Sequence, residues 1–66
     1  MVKVYVANNG NLELLDTVAN VDYALKELCE KVSLTYDRVE NSQDMYSKVS
    51  KYYYQNELKA MVETIA

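Results

Sequence analysis

The sequence predicts a small α+β domain with an N-terminal β-hairpin, two helices joined by a short turn, and a C-terminal helix. An Asn-Gly pair lies between two strand-like runs, an amphipathic helical period follows, and a third segment rich in apolar residues comes last. With 66 residues, the chain has room for one domain at most, and we assign residues 1–66 to it.

Residues 2–18 are predicted to form the β-hairpin. Asn9-Gly10 suits a type I′ turn, because both central positions of that turn need positive φ. A two-residue turn there places Lys3 opposite Asp16 as a cross-strand ion pair. Both faces of this hairpin are largely apolar, so one should pack on the helices. The other face, with Tyr5, Leu12 and Leu14, needs cover from the C-terminal segment or from a second copy.

Residues 20–32 are predicted to form the first helix. Asn20 can cap its N-terminus, and Asp22 suits the positive end of the helix dipole. Glu27 and Lys31 form a favourable i,i+4 pair on its outer side. The buried side is predicted from one stripe at helical spacing: Val21, Ala24, Leu25, Leu28, Cys29 and Val32.

Residues 20–42 also carry the pattern of a helix-turn-helix-like pair. In LCEKVSLTYDRV (Leu28–Val39), apolar residues surround an interruption at Ser33 and Thr35, and Val39 closes the packing. This segment resembles the helix-turn-helix core of phage and plasmid regulators, with Ser33 where such units usually have a glycine. A β-hairpin directly before it also resembles the short DNA-binding modules attached to phage homing nucleases.

Two alternatives stay open in the rest of the chain. Residues 20–40 could form one continuous helix, because Val32, Tyr36 and Val39 continue the stripe of the first helix. Residues 43–66 are predicted to form a C-terminal helix whose two halves face different surfaces, which suits a dimer. The alternative is a break near residues 55–56, with KVSKYYYQ as a strand and a short helix after it.

The composition argues against an enzyme. The chain has no histidine and one cysteine, which excludes a histidine-based triad, a thiolate zinc cluster and an intramolecular disulfide. No glycine-rich phosphate loop is present. We therefore expect no catalytic residue, no metal and no cofactor. The lone cysteine fits a cytoplasmic location, and no run approaches the ~20 apolar residues of a membrane span.

The resemblance implies DNA binding by the second helix. In a helix-turn-helix, the N-terminal part of that helix contacts base edges, and arginine and asparagine suit guanine and adenine. The predicted DNA-binding residues are Thr35, Tyr36, Arg38, Asn41, Lys48 and Lys51. The net charge of −3, with Asp37 and Glu40 in the same segment, works against phosphate binding.

A surplus of apolar residues predicts a protein interface. Apolar and aromatic residues make up 50% of the chain, which is generous for so small a core. The predicted interface residues are Tyr5, Leu12, Leu14, Tyr52, Tyr53, Leu58, Met61, Val62 and Ile65. A homodimer formed through them would suit paired DNA half-sites.

Two functions from different classes follow. The leading hypothesis is a small non-catalytic regulator of phage or mobile-element type that binds duplex DNA as a dimer. The alternative is an acidic protein-interaction module, such as a mobile-element inhibitor of a host protein, that does not bind DNA. Convergence of Arg38, Lys48 and Lys51 on one exposed face would favour DNA, and their dispersal would favour protein.

Overall fold

Strands dominate the computed structural model, which describes residues 1–65. Five antiparallel strands form one sheet in the order β2-β1-β5-β4-β3, and a single helix packs on one side of it. The elements in chain order are β1 (Val2–Asn8), β2 (Asn11–Val18), α1 (Val21–Val32), β3 (Arg38–Gln43), β4 (Ser47–Tyr54) and β5 (Glu57–Ile65). The predicted helix-turn-helix-like pair with a C-terminal helix is therefore wrong.

The N-terminal hairpin is present, but its register differs from the prediction. Asn9 and Gly10 both have positive φ, as the predicted turn requires. A β-bulge between Val4 and Tyr5 shifts the pairing of the strand residues beyond it, so Lys3 lies opposite Thr17 instead of Asp16. Asp16 turns toward α1, where its carboxylate lies 3.9 Å from the Lys31 ammonium. The predicted Lys3–Asp16 pair is wrong because the bulge inserts one extra residue.

The helix α1 occupies the predicted residues. The side chain of Asn20 caps it by accepting a hydrogen bond from the Tyr23 backbone N–H at 3.0 Å. Ala24 and Leu28 are fully buried against the sheet. Cys29, predicted on the buried stripe, is exposed. The buried stripe is narrow because a helix lying on one sheet buries one side only.

A left-handed residue ends α1, and the segment after it joins the sheet as β3 instead of forming a second helix. Ser33 has φ 50° and ψ 50°, and the backbone N–H groups of Ser33 and Leu34 both donate to the Leu28 carbonyl. A left-handed residue at the end of a helix is normally glycine. Leu34 then packs against the core, and residues 35–37 lead to β3. The continuous helix over residues 20–40 is wrong for the same reason.

The predicted C-terminal helix over residues 43–66 is replaced by β4 and β5. Gln55 and Asn56 both have positive φ and form a two-residue turn, so the chain reverses where the alternative placed a break. KVSKYYY is a strand, as in that alternative, but the segment after the turn is a strand as well. Ala66, the last residue of the predicted helix, lies outside the described residues.

The two-sided apolar pattern explains why a sheet wins over a helix here. A helix would have placed the apolar residues of this segment on opposite sides, and neither side alone would have joined all of them to one core. In strands, alternate residues separate cleanly onto two faces. Tyr52, Ala60 and Val62 point toward α1 and are buried, while Tyr53 and Met61 point away.

The core under α1 is small. Among residues 1–65, its buried members are Val2, Val4, Ala24, Leu28, Tyr52, Ala60 and Val62. Outside the helix, the ring of Tyr36 packs edge-on against Tyr52, with ring centroids 5.0 Å apart. The extended segment before β3 thus covers part of the sheet that α1 does not reach.

Aspartates fix both ends of the β3–β4 pair. The Asp44 carboxylate accepts hydrogen bonds from the backbone N–H groups of Tyr46 at 2.7 Å and Ser47 at 2.8 Å. These hydrogen bonds lower the pKa of Asp44, because they favour the charged form. At the other end, Asp37 accepts a hydrogen bond from the Gln55 backbone N–H at 3.1 Å, which holds the β4–β5 turn against the start of β3.

Leu28→Ala is predicted to lower the free energy of unfolding by about 2–5 kcal/mol, because it empties the centre of a small core. Urea denaturation followed by circular dichroism measures this change. Cys29→Ala, on the exposed side of the same helix, is the matched control and should change stability by less than about 0.5 kcal/mol. Equal effects of the two substitutions would contradict the helix orientation.

Gln55→Asn combined with Asn56→Gly is predicted to stabilise the chain by up to about 1 kcal/mol, because both positions have positive φ. The reciprocal change, Gly10→Asn, should destabilise the first hairpin by a similar amount. Thermal unfolding of the two variants beside the wild type compares them. A loss of stability from the Gln55→Asn and Asn56→Gly double change would show that the turn at residues 55–56 is not of type I′.

Acidification is predicted to remove the contribution of Asp44. Its folded pKa lies below the ordinary value of 3.8, so the stabilisation is present above that value and is lost as the pH falls through the folded pKa. Between about pH 5 and pH 2, the melting temperature of Asp44→Asn should therefore fall less than that of the wild type. Ser47→Ala keeps both backbone donors and should follow the wild type. Parallel curves for Asp44→Asn and the wild type would contradict the assignment.

Candidate functional site

The side of the sheet opposite α1, called here the open face, carries a group of apolar and aromatic side chains that α1 leaves uncovered. Residues paired across neighbouring strands point to the same side of a sheet. Val4 and Val62 are such a pair and face α1, so their neighbours along the strands point to the open face. One row in register crosses all five strands on that face: Leu14, Tyr5, Met61, Lys51 and Glu40. We call this the first row.

A second row lies beside the first, toward the two hairpin turns. Leu12 pairs with Ala7 on one half of the sheet, and Tyr53 pairs with both Leu58 and Arg38 on the other half. On the far side of the first row lies a more polar third row, in which Lys3 pairs with Glu63. The apolar members of the first two rows form the apolar patch: Tyr5, Ala7, Leu12, Leu14, Tyr53, Leu58 and Met61.

The apolar patch is open to solvent. Leu14 is 56% exposed and Leu12 is 37% exposed, and the remaining members are partly exposed. α1 packs on the other side of β1, β2 and β5, so it covers none of the patch. Within residues 1–65, the patch is bounded by strand side chains alone.

Charged groups border the apolar patch in pairs of opposite sign. The guanidinium of Arg38 lies 4.4 Å from the ring centroid of Tyr53 and 3.1 Å from the carboxylate of Glu40. Lys51 lies opposite Glu40 in the sheet, and Lys3 lies opposite Glu63. The open face is therefore nearly balanced in charge, whereas the whole chain carries −3.

The predicted DNA-binding residues are dispersed. Arg38 and Lys51 lie on the open face, but Lys48 lies on the helix side of the sheet. Asn41 is on that side too, where its side-chain oxygen accepts a hydrogen bond from the Ser50 hydroxyl at 2.6 Å. Thr35 and Tyr36 belong to the segment before β3, and Tyr36 packs on Tyr52. The three basic residues thus do not converge on one face, which is the arrangement that favours a protein partner.

Most predicted interface residues, in contrast, share the open face. Seven of the nine lie there: Tyr5, Leu12, Leu14, Tyr53, Leu58, Met61 and Ile65. Tyr52 and Val62 do not, because they belong to the core under α1. Sequence reasoning missed Arg38 as a member of this face. Period-2 alternation through β3 was the signal that could have found it.

Other kinds of site have little support in the described part of the chain. Among residues 1–65, no three histidine, cysteine, aspartate or glutamate side chains are grouped closely enough to hold a metal ion. Burial raises the pKa of Tyr52, and the neighbouring Tyr36 adds to the shift, so its hydroxyl stays protonated. None of the described helices is long and apolar enough to span a membrane. Comparisons with protein-family models, curated proteins and solved structures found no match.

Proposed function

We propose that this chain is a non-catalytic protein-binding module that contacts its partner through the open face of the sheet. The observation that carries the proposal is the apolar patch, which crosses the strands on the side that α1 leaves uncovered. Half of the residues are apolar or aromatic, yet few of them are buried under the helix. Seven of the other apolar and aromatic side chains form the apolar patch on the open face, where a single partner can cover them.

The composition of the patch supports a protein partner. Tyrosine, methionine and arginine are enriched in protein interfaces, and Tyr5, Met61 and Arg38 lie within two adjacent rows. Contiguous exposed apolar patches beyond a few hundred Å² commonly mark interaction sites in monomeric proteins. Hydrogen-bonded strands hold the backbone of these residues in place, so the backbone loses little conformational entropy on binding.

The side chain of Arg38 is also held in a position that suits a protein interface. Its guanidinium is positioned by the ring of Tyr53 and the carboxylate of Glu40, which leaves part of it exposed at the border of the patch. An arginine fixed beside an aromatic ring is the kind of group that forms interface hot spots.

Duplex DNA fits this surface less well. Binding to the phosphate backbone requires several unpaired lysine or arginine side chains on one surface. Here Arg38 is paired with Glu40, Lys51 lies opposite the same carboxylate, and Lys48 is on the other side of the sheet. DNA binding is the competing function, and the experiment below separates the two.

Site-specific photo-crosslinking is predicted to capture a protein from the open face only. A photoreactive phenylalanine derivative replaces Leu14 on the open face or Tyr23 on α1, which are 56% and 55% exposed. After illumination in cells of the source organism, position 14 should give one discrete crosslinked protein, identified by mass spectrometry. Position 23, matched in exposure but on the opposite side, should give none.

Two outcomes would contradict this proposal. The first is equal crosslinking from positions 14 and 23, or none from either. The second is saturable binding of a fluorescent duplex at ~50 mM salt that weakens steeply with added salt and is lost in Arg38→Ala. If the proposed function holds, adding the protein leaves the fluorescence anisotropy of such a duplex unchanged.

A further inference from the structure

We infer that the partner on the open face is a second copy of this chain, bound face to face through a two-fold axis. This inference rests on the proposed function, because it names the partner of the same surface. Three observations carry it: the way in which the two rows match each other, the area of the face, and the small size of the core.

The first and second rows are complementary to each other. Consider a two-fold axis that runs across the strands, between these rows: the first row of one copy then lies over the second row of the other. Arg38 of each copy faces Glu40 of the second copy, and Lys51 faces the ring of Tyr53. Both contacts occur twice, because a two-fold interface repeats every pair.

The apolar residues match in the same arrangement. Met61 of one copy lies over Leu58 of the second copy, and Leu14 lies over Leu12. Packed sheets lie about 10 Å apart with strands within about 30° of each other, so side chains from the two faces interdigitate. In these two rows, no charged group lies over an aliphatic side chain. Lys51 lies over the ring of Tyr53, and a cation over an aromatic ring is a favourable contact.

The dimensions of the molecule allow a dimer interface of ordinary size. The molecule measures 30 × 23 × 19 Å, so the open face covers at most about 700 Å². Two copies would together bury up to about 1,400 Å², which falls within the ~1,200–2,000 Å² typical of specific interfaces.

The small core gives self-association a physical role. A single core in a domain below about 70–80 residues rarely supplies much stability, and oligomerisation is one of the ways in which such domains gain it. In the dimer, β1, β2 and β5 are covered on both sides, by α1 on one and by the second sheet on the other. The nearly balanced charge of the face permits this, since a second copy brings the same charges.

Sedimentation equilibrium tests the proposal on the purified full chain. At tens of micromolar, the wild type should have about twice the monomer mass of 7.6 kDa. Leu14→Glu should weaken the dimer at least ~10-fold, because it places a charge in the apolar patch. Tyr23→Glu, equally exposed but on α1, is the matched control and should remain dimeric. A monomeric wild type at about 100 μM would overturn the proposal, and so would a dimer that Leu14→Glu leaves intact.

Charge reversal tests the pairing between rows. The R38E and E40R proteins should each form homodimers at least ~10-fold more weakly, because like charges then meet across the interface. An equimolar mixture of the two should form a heterodimer of wild-type strength, since each Glu–Arg pair is restored between copies. The pair within one chain stays broken in that mixture, so a merely structural role of Arg38 and Glu40 predicts no recovery. Absence of recovery would overturn the arrangement.

The results separate this inference from the proposed function. A monomeric wild type whose position 14 crosslinks to a different protein overturns self-association and leaves the protein-binding function standing. A crosslink from position 14 to another copy of the same chain supports both.

Discussion

The pairing of β5 between β1 and β4 is the interaction on which the rest of the structure depends. β5 is the central strand, and it joins the N-terminal hairpin to the hairpin formed by β3 and β4. Its pairing with β1 places Val62 beside Val4 and Ala60 beside Val6, which builds the floor on which α1 packs. The same pairing places Met61 beside Tyr5 on the opposite side. Core and candidate interface are thus two consequences of one register.

One helix cannot cover both sides of a five-stranded sheet, and the chain distributes its side chains accordingly. α1 lies over β1, β2 and β5, with Leu28 at the centre of the contact. The helix side of β3 and β4 that lies beyond it carries polar groups such as Asn41 and Lys48, which are stable in water. The open face, in contrast, is apolar in its middle and charged at its borders. That distribution is expected for a surface that is covered by a partner.

Local signals predicted the parts of the fold that local chemistry determines. The Asn9-Gly10 turn and the cap at Asn20 were predictable, since each depends on residues a few positions apart. The second half was not predicted, because the segment after the stop at Ser33 pairs with β4 as a strand instead of starting a second helix, and that pairing joins residues far apart in sequence. Tyrosine and valine in β4 favoured a strand, but a segment with two apolar sides also suits a helix between two partners. Only the long-range pairing of β5 with β1 decides between a strand and a helix in this part of the chain.

The candidate site was predicted in composition but not in position. The apolar surplus pointed to residues such as Tyr5, Leu14 and Met61, and the structure brings them together on one face. Tyr52 and Val62 were assigned to the same set because, without the strand register, core and surface positions look alike. The basic residues were grouped by their closeness in sequence, yet Lys48 and Lys51, three positions apart, point to opposite sides of one strand.

Hydroxyl-radical footprinting of Met61 and Met45 tests the central claim most directly, which is that a second copy of the chain covers the open face. Met61 lies in the apolar patch, and Met45 lies in the β3–β4 turn, where it is 85% exposed. The account predicts that Met61 is oxidised several-fold faster in Leu14→Glu than in the wild type at the same concentration, while Met45 is oxidised equally fast in both. Equal oxidation of Met61 in the two proteins would contradict it.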